Sequence, residues 1–242
     1  MAPELSPQVV QALLRRERLA LVGRLLKGVV HNLSGGLQML RLPMDLLELK
    51  LAQGQTQDLS SKLKAMHQGF ERTGGEVDLL AAKAGQFQAD EPQPLDLCQL
   101  AREQLAFWRA DMYFKHETKL EADLPASCPK VVAAYQDVAL AFNALVANAL
   151  EVLAPAGARQ LQVCWRQEDG RSLLLVGDNG PGPRPEMAAA MFEPFTGDKG
   201  GEHDGLGLFL ARAALAPWGG GLRWQAGPPL TVFVLDLPLS QT

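Results

Sequence analysis

Two runs of apolar residues at helical spacing occupy the first third of the chain and restrict its fold more than any other feature. They extend from about residue 7 to 51 and from 59 to 84, with apolar side chains three and four positions apart, as on one face of an α-helix. The polar, glycine-containing segment 52–57 predicts a short turn between them. The Gly-Gly pair at 35–36 and Pro43 predict a bend or a looser segment in the first helix. Together these features predict an antiparallel helical hairpin.

A single hairpin cannot bury the apolar stripes of both of its helices. Two copies related by a two-fold axis would bury them in a four-helix bundle. We therefore expect the chain to form a homodimer through this region.

The composition changes at residues 88–94, where two prolines and two acidic residues predict a domain boundary. Strand patterns follow near 95–97, 118–121, 131–132, 161–165, 172–176, 222–224 and 231–235, with helical patterns from near 99 and over 136–153. Because strands and helices do not alternate regularly, this part is predicted to be an α+β sandwich. We expect a helical extension over 1–20, the hairpin over 21–88 and the α+β domain over 93–242.

The composition limits which binding partners and which cellular compartment we expect for the protein. A net charge of −4 argues against nucleic acid binding, which relies on clustered Lys and Arg. The small basic cluster of Arg15, Arg16 and Arg18 is interpreted as a solvated helix face. The three cysteines are odd in number and lack metal-ligand spacing, which predicts buried free thiols in a reducing compartment. With no candidate membrane span and no signal-peptide pattern, we expect a cytoplasmic protein.

Two glycine-rich motifs in the last third of the chain point to a ligand site. In the first, 178–182, an Asp at a strand end could accept a hydrogen bond from an exocyclic amine such as that of adenine, and glycines allow a ligand to approach the backbone. Taken alone, this motif is more often a structural turn. In the second, Gly205 and Gly207 open a helical run over 208–215, where unpaired N–H groups can hold phosphate oxygens.

Further candidates lie around these motifs. The polar, glycine-rich stretch 197–204 between them is typical of a mobile lid, from which Lys199 could reach a terminal phosphate. Asn148 lies on an apolar helix, and its amide oxygen is a hard ligand suited to Mg²⁺. In isolation, Lys199 could equally be a surface lysine, and Asn148 would more simply be a hydrogen-bonded, partly buried residue.

Taken in order, Asn148, 178–182, 192–195 and 205–207 resemble the N, G1, F and G2 boxes of the ATP-binding domain of sensor histidine kinases. The resemblance covers roughly residues 93–242 and implies the α/β sandwich of Bergerat type, with ATP and Mg²⁺ as ligands. It implies that Asp178, Gly180, Gly182, Lys199, Gly205, Gly207 and Thr231 bind the nucleotide and that Asn148 binds the metal. The family's final Gly-Thr-x-Phe pattern is mostly kept here, with Leu230 in place of the Gly.

The segment 28–33 of the first helix resembles the phospho-acceptor box of the same kinases, which makes His31 the acceptor. The hairpin then resembles their dimerisation and phosphotransfer domain. The resemblance implies a two-component signal transduction enzyme, a transferase and phosphoprotein that phosphorylates itself on His31. It would then pass the phosphate to an aspartate of a response-regulator receiver domain. The signal could come from a separate sensor protein.

Three departures from related proteins qualify this reading. In most of the family an acid follows the acceptor and serves as its base, whereas Asn32 here can hydrogen-bond but cannot act as a base. Gly35 replaces the Asn or Thr that is associated with dephosphorylating the partner. Ala144 replaces the Glu with which gyrase, Hsp90 and MutL relatives activate water, so transfer to a held nucleophile is favoured over hydrolysis.

Two other functions compete with a kinase. A non-catalytic phosphotransfer or scaffold dimer would keep His31 but show eroded ATP boxes, and the boxes here look complete. An ATP-dependent conformational clamp is disfavoured by Ala144 and by the helical histidine.

Overall fold

The computed structural model describes residues 5–54, 58–86, 91–153, 159–188, 190–196, 204–225 and 230–240. Contacts divide the chain into two compact units, of which one comprises residues 23–88 and the other residues 1–22 together with 89–242. None of the described helices combines the length and the apolarity that a bilayer-crossing segment needs.

Two helices build the smaller unit, α1 (Pro7–Ala52), whose first turns lie in the other unit, and α2 (Leu59–Gln86). The helical hairpin is therefore confirmed. The backbone of α1 stays helical through the Gly-Gly pair at 35–36 and through Pro43, which corrects the expectation of a looser segment there.

Glycines in α1 and α2 serve close packing of the two helices. A Cβ added to Gly36 would lie 2.4 Å from the Oγ1 atom of Thr73. One added to Gly69 would lie 3.0 Å from the Cβ of Met39. At these two positions the absence of a side chain allows the backbones to approach each other, which explains why glycine occurs inside a helix despite its low helical propensity.

Both helices of this unit also carry exposed apolar side chains. The described ones are Leu26, Val30, Leu37, Leu42, Met44, Leu46, Leu49, Leu51, Leu63, Phe70 and Val77. So many exposed apolar side chains are typical of a surface that associates with another protein surface.

The larger unit contains a five-stranded sheet of order β2-β4-β5-β7-β6 and a two-stranded sheet of β1 and β3. β2 pairs with β4 in parallel, and the other neighbours pair antiparallel. The strands are β1 (Pro92–Leu95), β2 (Thr118–Asp123), β3 (Val131–Ala134), β4 (Arg159–Glu168), β5 (Arg171–Asp178), β6 (Gly221–Gln225) and β7 (Thr231–Pro238). The helices are α3 (Leu97–Trp108), α4 (Met112–Glu117), α5 (Tyr135–Leu153), α6 (Pro185–Ala188) and α7 (Gly207–Leu215), followed by the 3₁₀ turn Ala216–Trp218. The predicted α+β architecture is confirmed, and the larger sheet is mixed.

The first strand of this unit lies earlier in the chain than we expected. β1 ends at Leu95, and Asp96 begins α3 as its N-cap, accepting a hydrogen bond from the backbone N–H of Gln99 at 3.0 Å. An N-cap side chain satisfies a helix donor that would otherwise be unpaired, so the chain turns into the helix here instead of extending as a strand.

The core of this unit lies between the helices and the sheet. α5 packs against β5 and β7 on one side and against α3 and α7 on another. A buried hydrogen-bond chain crosses the α3–α5 contact: Trp108 Nε1 donates to Asn143 Oδ1 at 2.7 Å, and Asn143 Nδ2 donates to Gln104 Oε1 at 2.9 Å. Because buried polar groups are costly when unpaired, this series of hydrogen bonds determines how α3 packs against α5.

The cysteines are free, and Cys98 and Cys128 are buried as predicted, while Cys164 is half-buried. Folding also brings two of them together: Cys128 Sγ donates to Asp96 Oδ1 at 3.1 Å and accepts from the Cys98 N–H at 3.4 Å. Burial raises the pKa of Cys98 and of Cys128, so both remain protonated thiols at neutral pH.

The first part of α1, residues 7–22, is called here the N-terminal arm and packs within the larger unit. The interpretation of its basic cluster as a solvated face is wrong for Arg18, which forms a 2.6 Å ion pair with Asp137 at the start of α5. Arg15 and Arg16 are exposed as predicted. Sequence periodicity could not identify Arg18 because its partner lies more than a hundred residues away.

Candidate functional site

Asp178 is the last residue of β5 and is almost completely buried, with 2% of its surface exposed. It lies opposite Leu161 of β4 and Thr231 of β7, so it sits inside the sheet and not at its edge. Its Oδ1 atom accepts a hydrogen bond from the Gly180 N–H at 2.8 Å, which holds the turn that follows the strand. A carboxylate is thus buried at the point where the backbone leaves the sheet.

Gly182 and Thr231 complete this end of the sheet. Gly182 has φ +72°, and a Cβ added to it would lie 2.9 Å from the Oγ1 atom of Thr231. That Oγ1 atom also donates to the carbonyl oxygen of Gly180 at 3.4 Å. The structure therefore brings Asp178, Gly180, Gly182 and Thr231 together, although Thr231 is distant in sequence.

The glycine motif at the start of α7 contacts the end of the Phe192–Phe195 segment. Gly205 has φ +62°, and a Cβ added to it would lie 2.8 Å from the carbonyl oxygen of Thr196. From α7, the guanidinium carbon of Arg212 lies 5.7 Å from the centre of the buried Phe192 ring, and its Nη2 lies 4.0 Å from Glu193 Oε1. Our sequence reasoning missed Thr196 and Arg212. The one sequence signal for Arg212 is its position on the helix that follows the glycine motif, and Thr196 has no such signal.

Among the described residues, nothing covers the amino end of α7. Gly207 is its first residue and Leu206 precedes it without a side-chain capping hydrogen bond, and a Cβ added to Gly207 would meet no described atom within 4 Å. The first N–H groups of a helix lack intrahelical partners and point outward, and the helix dipole adds partial positive charge. This end of the helix can therefore hold an anion such as a phosphate.

Asn148 lies on α5 and is half-buried, in the helix that packs against both β5 and α7. One amide oxygen is a suitable donor for Mg²⁺, which prefers oxygen ligands and keeps several of its waters. Lys199 and most of the expected lid, residues 197–203, lie outside the described residues.

His31 lies on α1 in the smaller unit, where it is exposed. The neighbouring Asn32 is 5% exposed, and its Nδ2 atom donates to Glu76 Oε1 on α2 at 3.0 Å. The other carboxylate oxygen of Glu76 is buried and, within the described part of the chain, has no hydrogen-bond partner. Our sequence reasoning missed Glu76, because nothing in its sequence neighbourhood distinguishes it from other acids on a helix.

A mixed sheet is covered by α5 and α7, with an acid-glycine turn at one strand end and a glycine helix start, an arrangement typical of nucleotide-binding α/β domains. Residues 134–241, somewhat less than half of the chain, match the family described as histidine kinase-, DNA gyrase B-, and HSP90-like ATPase. The predicted recognition of such an ATPase domain is confirmed, and the match implies that this part of the chain binds nucleotide.

The relatives of the chain are sensor histidine kinases. The C4-dicarboxylate transport sensor protein DctB of Rhizobium meliloti is 28% identical over 233 residues, which cover 95% of this chain and 36% of the relative. The sensor histidine kinase DcuS of Escherichia coli is 30% identical over 95 residues, 39% of this chain and 17% of the relative. The chain thus spans about a third or less of the length of these curated relatives.

Solved structures share the fold. The catalytic domain of histidine kinase ThkA superposes with a TM-score of 0.54 at 22% identity, covering 62% of this chain and 99% of that one. Full-length ShkA in complex with AMPPNP gives a TM-score of 0.55 at 20% identity and covers 98% of this chain and 47% of that one.

Proposed function

We propose that this chain is the catalytic core of a two-component histidine kinase, which phosphorylates itself on His31 and passes the phosphate to an aspartate of a receiver domain. The observation that carries the proposal is the convergence of Asp178, Gly180, Gly182 and Thr231 at the end of β5. The chain also offers an exposed helical imidazole as nucleophile.

The buried end of β5 supplies the adenine site in this proposal. The Asp178 carboxylate accepts a hydrogen bond from the exocyclic amine. Glycine at 182 lets the turn lie directly against the Thr231 hydroxyl, which keeps Thr231 beside Asp178. The uncapped N–H groups after Gly205 and Gly207 hold the phosphates. Asn148 would hold Mg²⁺, which neutralises phosphate charge when bound. Lys199 is proposed to meet the terminal phosphate on sequence grounds alone.

In the transfer step, a neutral nitrogen of the His31 imidazole attacks the γ-phosphorus. The new N–P bond forms as the bond to the β–γ bridging oxygen breaks, ADP leaves with that electron pair, and the imidazole N–H proton passes to solvent. Catalysis rests on positioning and charge stabilisation, as is usual for phosphoryl transfer. In the second step an aspartate oxygen of the receiver domain attacks the same phosphorus, and the N–P bond breaks.

Ala144 supports transfer over hydrolysis. It stands in α5 four residues before Asn148, where hydrolytic relatives place a glutamate that activates water. A methyl group cannot take a proton from water. Hydrolysis of a bound nucleotide is therefore slow, and transfer to a protein nucleophile is favoured.

The exposed apolar side chains of α1 and α2 support a homodimer formed through the hairpin. We place the reaction in the cytoplasm, where ATP and receiver domains are available, with the signal supplied by a sensor region or a separate sensor protein.

The test is incubation of the purified chain with γ-labelled Mg²⁺–ATP, followed by assay for acid-labile, base-stable label. We expect His31→Gln to abolish the label and leave nucleotide binding intact. His67→Gln is the matched control, because His67 is an exposed histidine on α2 of the same unit. Label that persists in H31Q would place the acceptor elsewhere. Nucleotide binding without any label would favour the phosphotransfer or scaffold alternative.

A further inference from the structure

We propose that the N-terminal arm buttresses the nucleotide site, with Leu14 and Arg18 as positioning residues that hold α5 and α7 in the geometry that binds nucleotide. Displacement of the arm then lowers nucleotide affinity. This inference rests on the proposed function only in requiring that the site binds nucleotide.

The apolar half of the contact reaches the glycine motif itself. Leu14 is 3% exposed and lies in a buried cluster with Leu140 of α5 and with Leu210 and Ala214 of α7. Val10, Leu13, Leu206 and Phe209 pack against this cluster. Leu206 stands between Gly205 and Gly207. The cluster that contains Leu14 of the arm therefore packs against the segment that is proposed to hold the phosphates.

The polar half of the contact fixes the start of α5. Arg18 Nη2 lies 2.6 Å from Asp137 Oδ1, and Arg18 Nη1 donates to Gln136 Oε1 at 2.9 Å. The other oxygen of Asp137 accepts from the Trp218 indole N–H at 2.9 Å, just after α7. One carboxylate thereby joins the arm, α5 and the turn that follows α7.

The Arg18–Asp137 ion pair can determine how the arm packs against α5. The Arg18 and Asp137 side chains are only 17% and 14% exposed, so solvent screens them weakly. Breaking a buried pair on one side leaves an uncompensated charge, which favours separation of the arm from the domain. Asp137 also lies in the first turn of α5, where the helix dipole stabilises a negative charge.

The arm contacts both helices that carry proposed ligand-binding residues. Asn148 lies on α5 eight positions after Leu140, about 12 Å along the axis, and α7 begins at Gly207. The arm continues without interruption into the part of α1 that bears His31. A movement of the amino end of α1 is therefore transmitted to the nucleotide site through packed side chains.

The experiment measures the dissociation constant of the full chain for a non-hydrolysable Mg²⁺–ATP analogue, together with the KM for ATP in autophosphorylation. We expect Leu14→Asp and Arg18→Asp each to weaken nucleotide binding about tenfold, within the usual range of coupling between sites. The KM for ATP should rise while the rate at saturating ATP changes little. A residue that only maintained the fold would lower the active fraction and leave the KM unchanged.

Two sets of variants keep the test specific. Arg16→Asp and Leu19→Asp change exposed residues of the same arm and should leave binding unchanged. Asp137→Arg should weaken binding, and the charge-reversed double variant Arg18→Asp/Asp137→Arg should recover part of the loss, because it restores the ion pair but not the Trp218 hydrogen bond. This comparison also tests the inference if L14D fails to fold.

Normal nucleotide binding in both R18D and D137R would overturn the inference and leave the proposed function standing. An equal loss in R16D and L19D, or no recovery in the double variant, would overturn it as well. A wild-type chain that binds no nucleotide would contradict the proposed function and the inference together.

Discussion

At the scale of single residues, the side chain beside His31, the proposed acceptor, belongs to the hairpin core. Asn32 occupies the place where related kinases carry an acid, and its amide donates to Glu76 on α2 from a position that is 5% exposed. An amide–carboxylate pair needs no bound proton to be stable, whereas two facing carboxylates repel each other. The asparagine is therefore explained by its partner across the hairpin.

We predict that Asn32→Asp, although it restores the residue type of related kinases, destabilises the chain by about 1–3 kcal/mol, because it buries a second carboxylate against Glu76. Urea unfolding of the full chain at neutral pH measures the change. The double variant Asn32→Asp/Glu76→Gln should regain most of the lost stability. An N32D variant as stable as wild type would show that Asn32 and Glu76 do not pair in solution.

At the scale of elements, two glycines at the start of α7 have different physical roles. Gly205 adopts φ +62° against the Thr196 carbonyl oxygen, so its conformation and its contact both exclude a side chain. Gly207 has neither restriction, since no atom of the described residues lies within 4 Å of an added Cβ. Packing of the described residues therefore requires glycine at 205 but not at 207, where a bound ligand would give a reason for it.

We predict that Gly205→Ala lowers both the melting temperature and nucleotide affinity, since the added methyl group would lie 2.8 Å from a backbone oxygen. Gly207→Ala should melt like wild type and still bind nucleotide at least about fivefold more weakly, because the methyl group occupies space that the phosphates need. Thermal unfolding with and without nucleotide separates the two effects. Gly23→Ala, at an exposed helical position with nothing within 4 Å, is the matched control. Unchanged affinity in G207A would mean that the phosphates bind elsewhere.

At the scale of the whole molecule, the two units differ in how completely they bury their apolar residues. The larger unit has a continuous core between its sheet and helices, whereas α1 and α2 leave large apolar side chains exposed, including Phe70 at 65% and Leu37 at 55%. Exposed apolar area on this scale is removed from water by association, and a helical hairpin associates most simply with a copy of itself.

We predict that the chain is a dimer in solution and that Phe70→Asp shifts it to monomer at micromolar concentration, because the dimer would bury an unpaired charge. Light scattering coupled to size-exclusion chromatography measures the mass. Val132→Asp places the same charge on an exposed apolar position of β3 in the larger unit and should leave the dimer intact. A wild-type monomer, or a dimer unaffected by F70D, would contradict assembly through the hairpin.

Much of the candidate site could be predicted from the sequence because its parts are local. The strand ending at Asp178, the turn after it and the helix opening at Gly207 each depend on residues within a few positions, and the structure places them as predicted. Thr196 and Arg212 were not predicted, since their roles come from contacts with Gly205 and Phe192 that exist only after folding.

The sequence by itself determined the helical hairpin, the mixed α+β domain and the order of the nucleotide-site motifs, because periodicity, turn residues and spacing are set by near neighbours. Only the tertiary structure decided that Thr231 lies opposite Asp178, that Asn32 pairs with Glu76 and that Arg18 pairs with Asp137. Strand register and helix packing arise from the burial of the whole chain, so residues far apart in sequence meet only when the core forms.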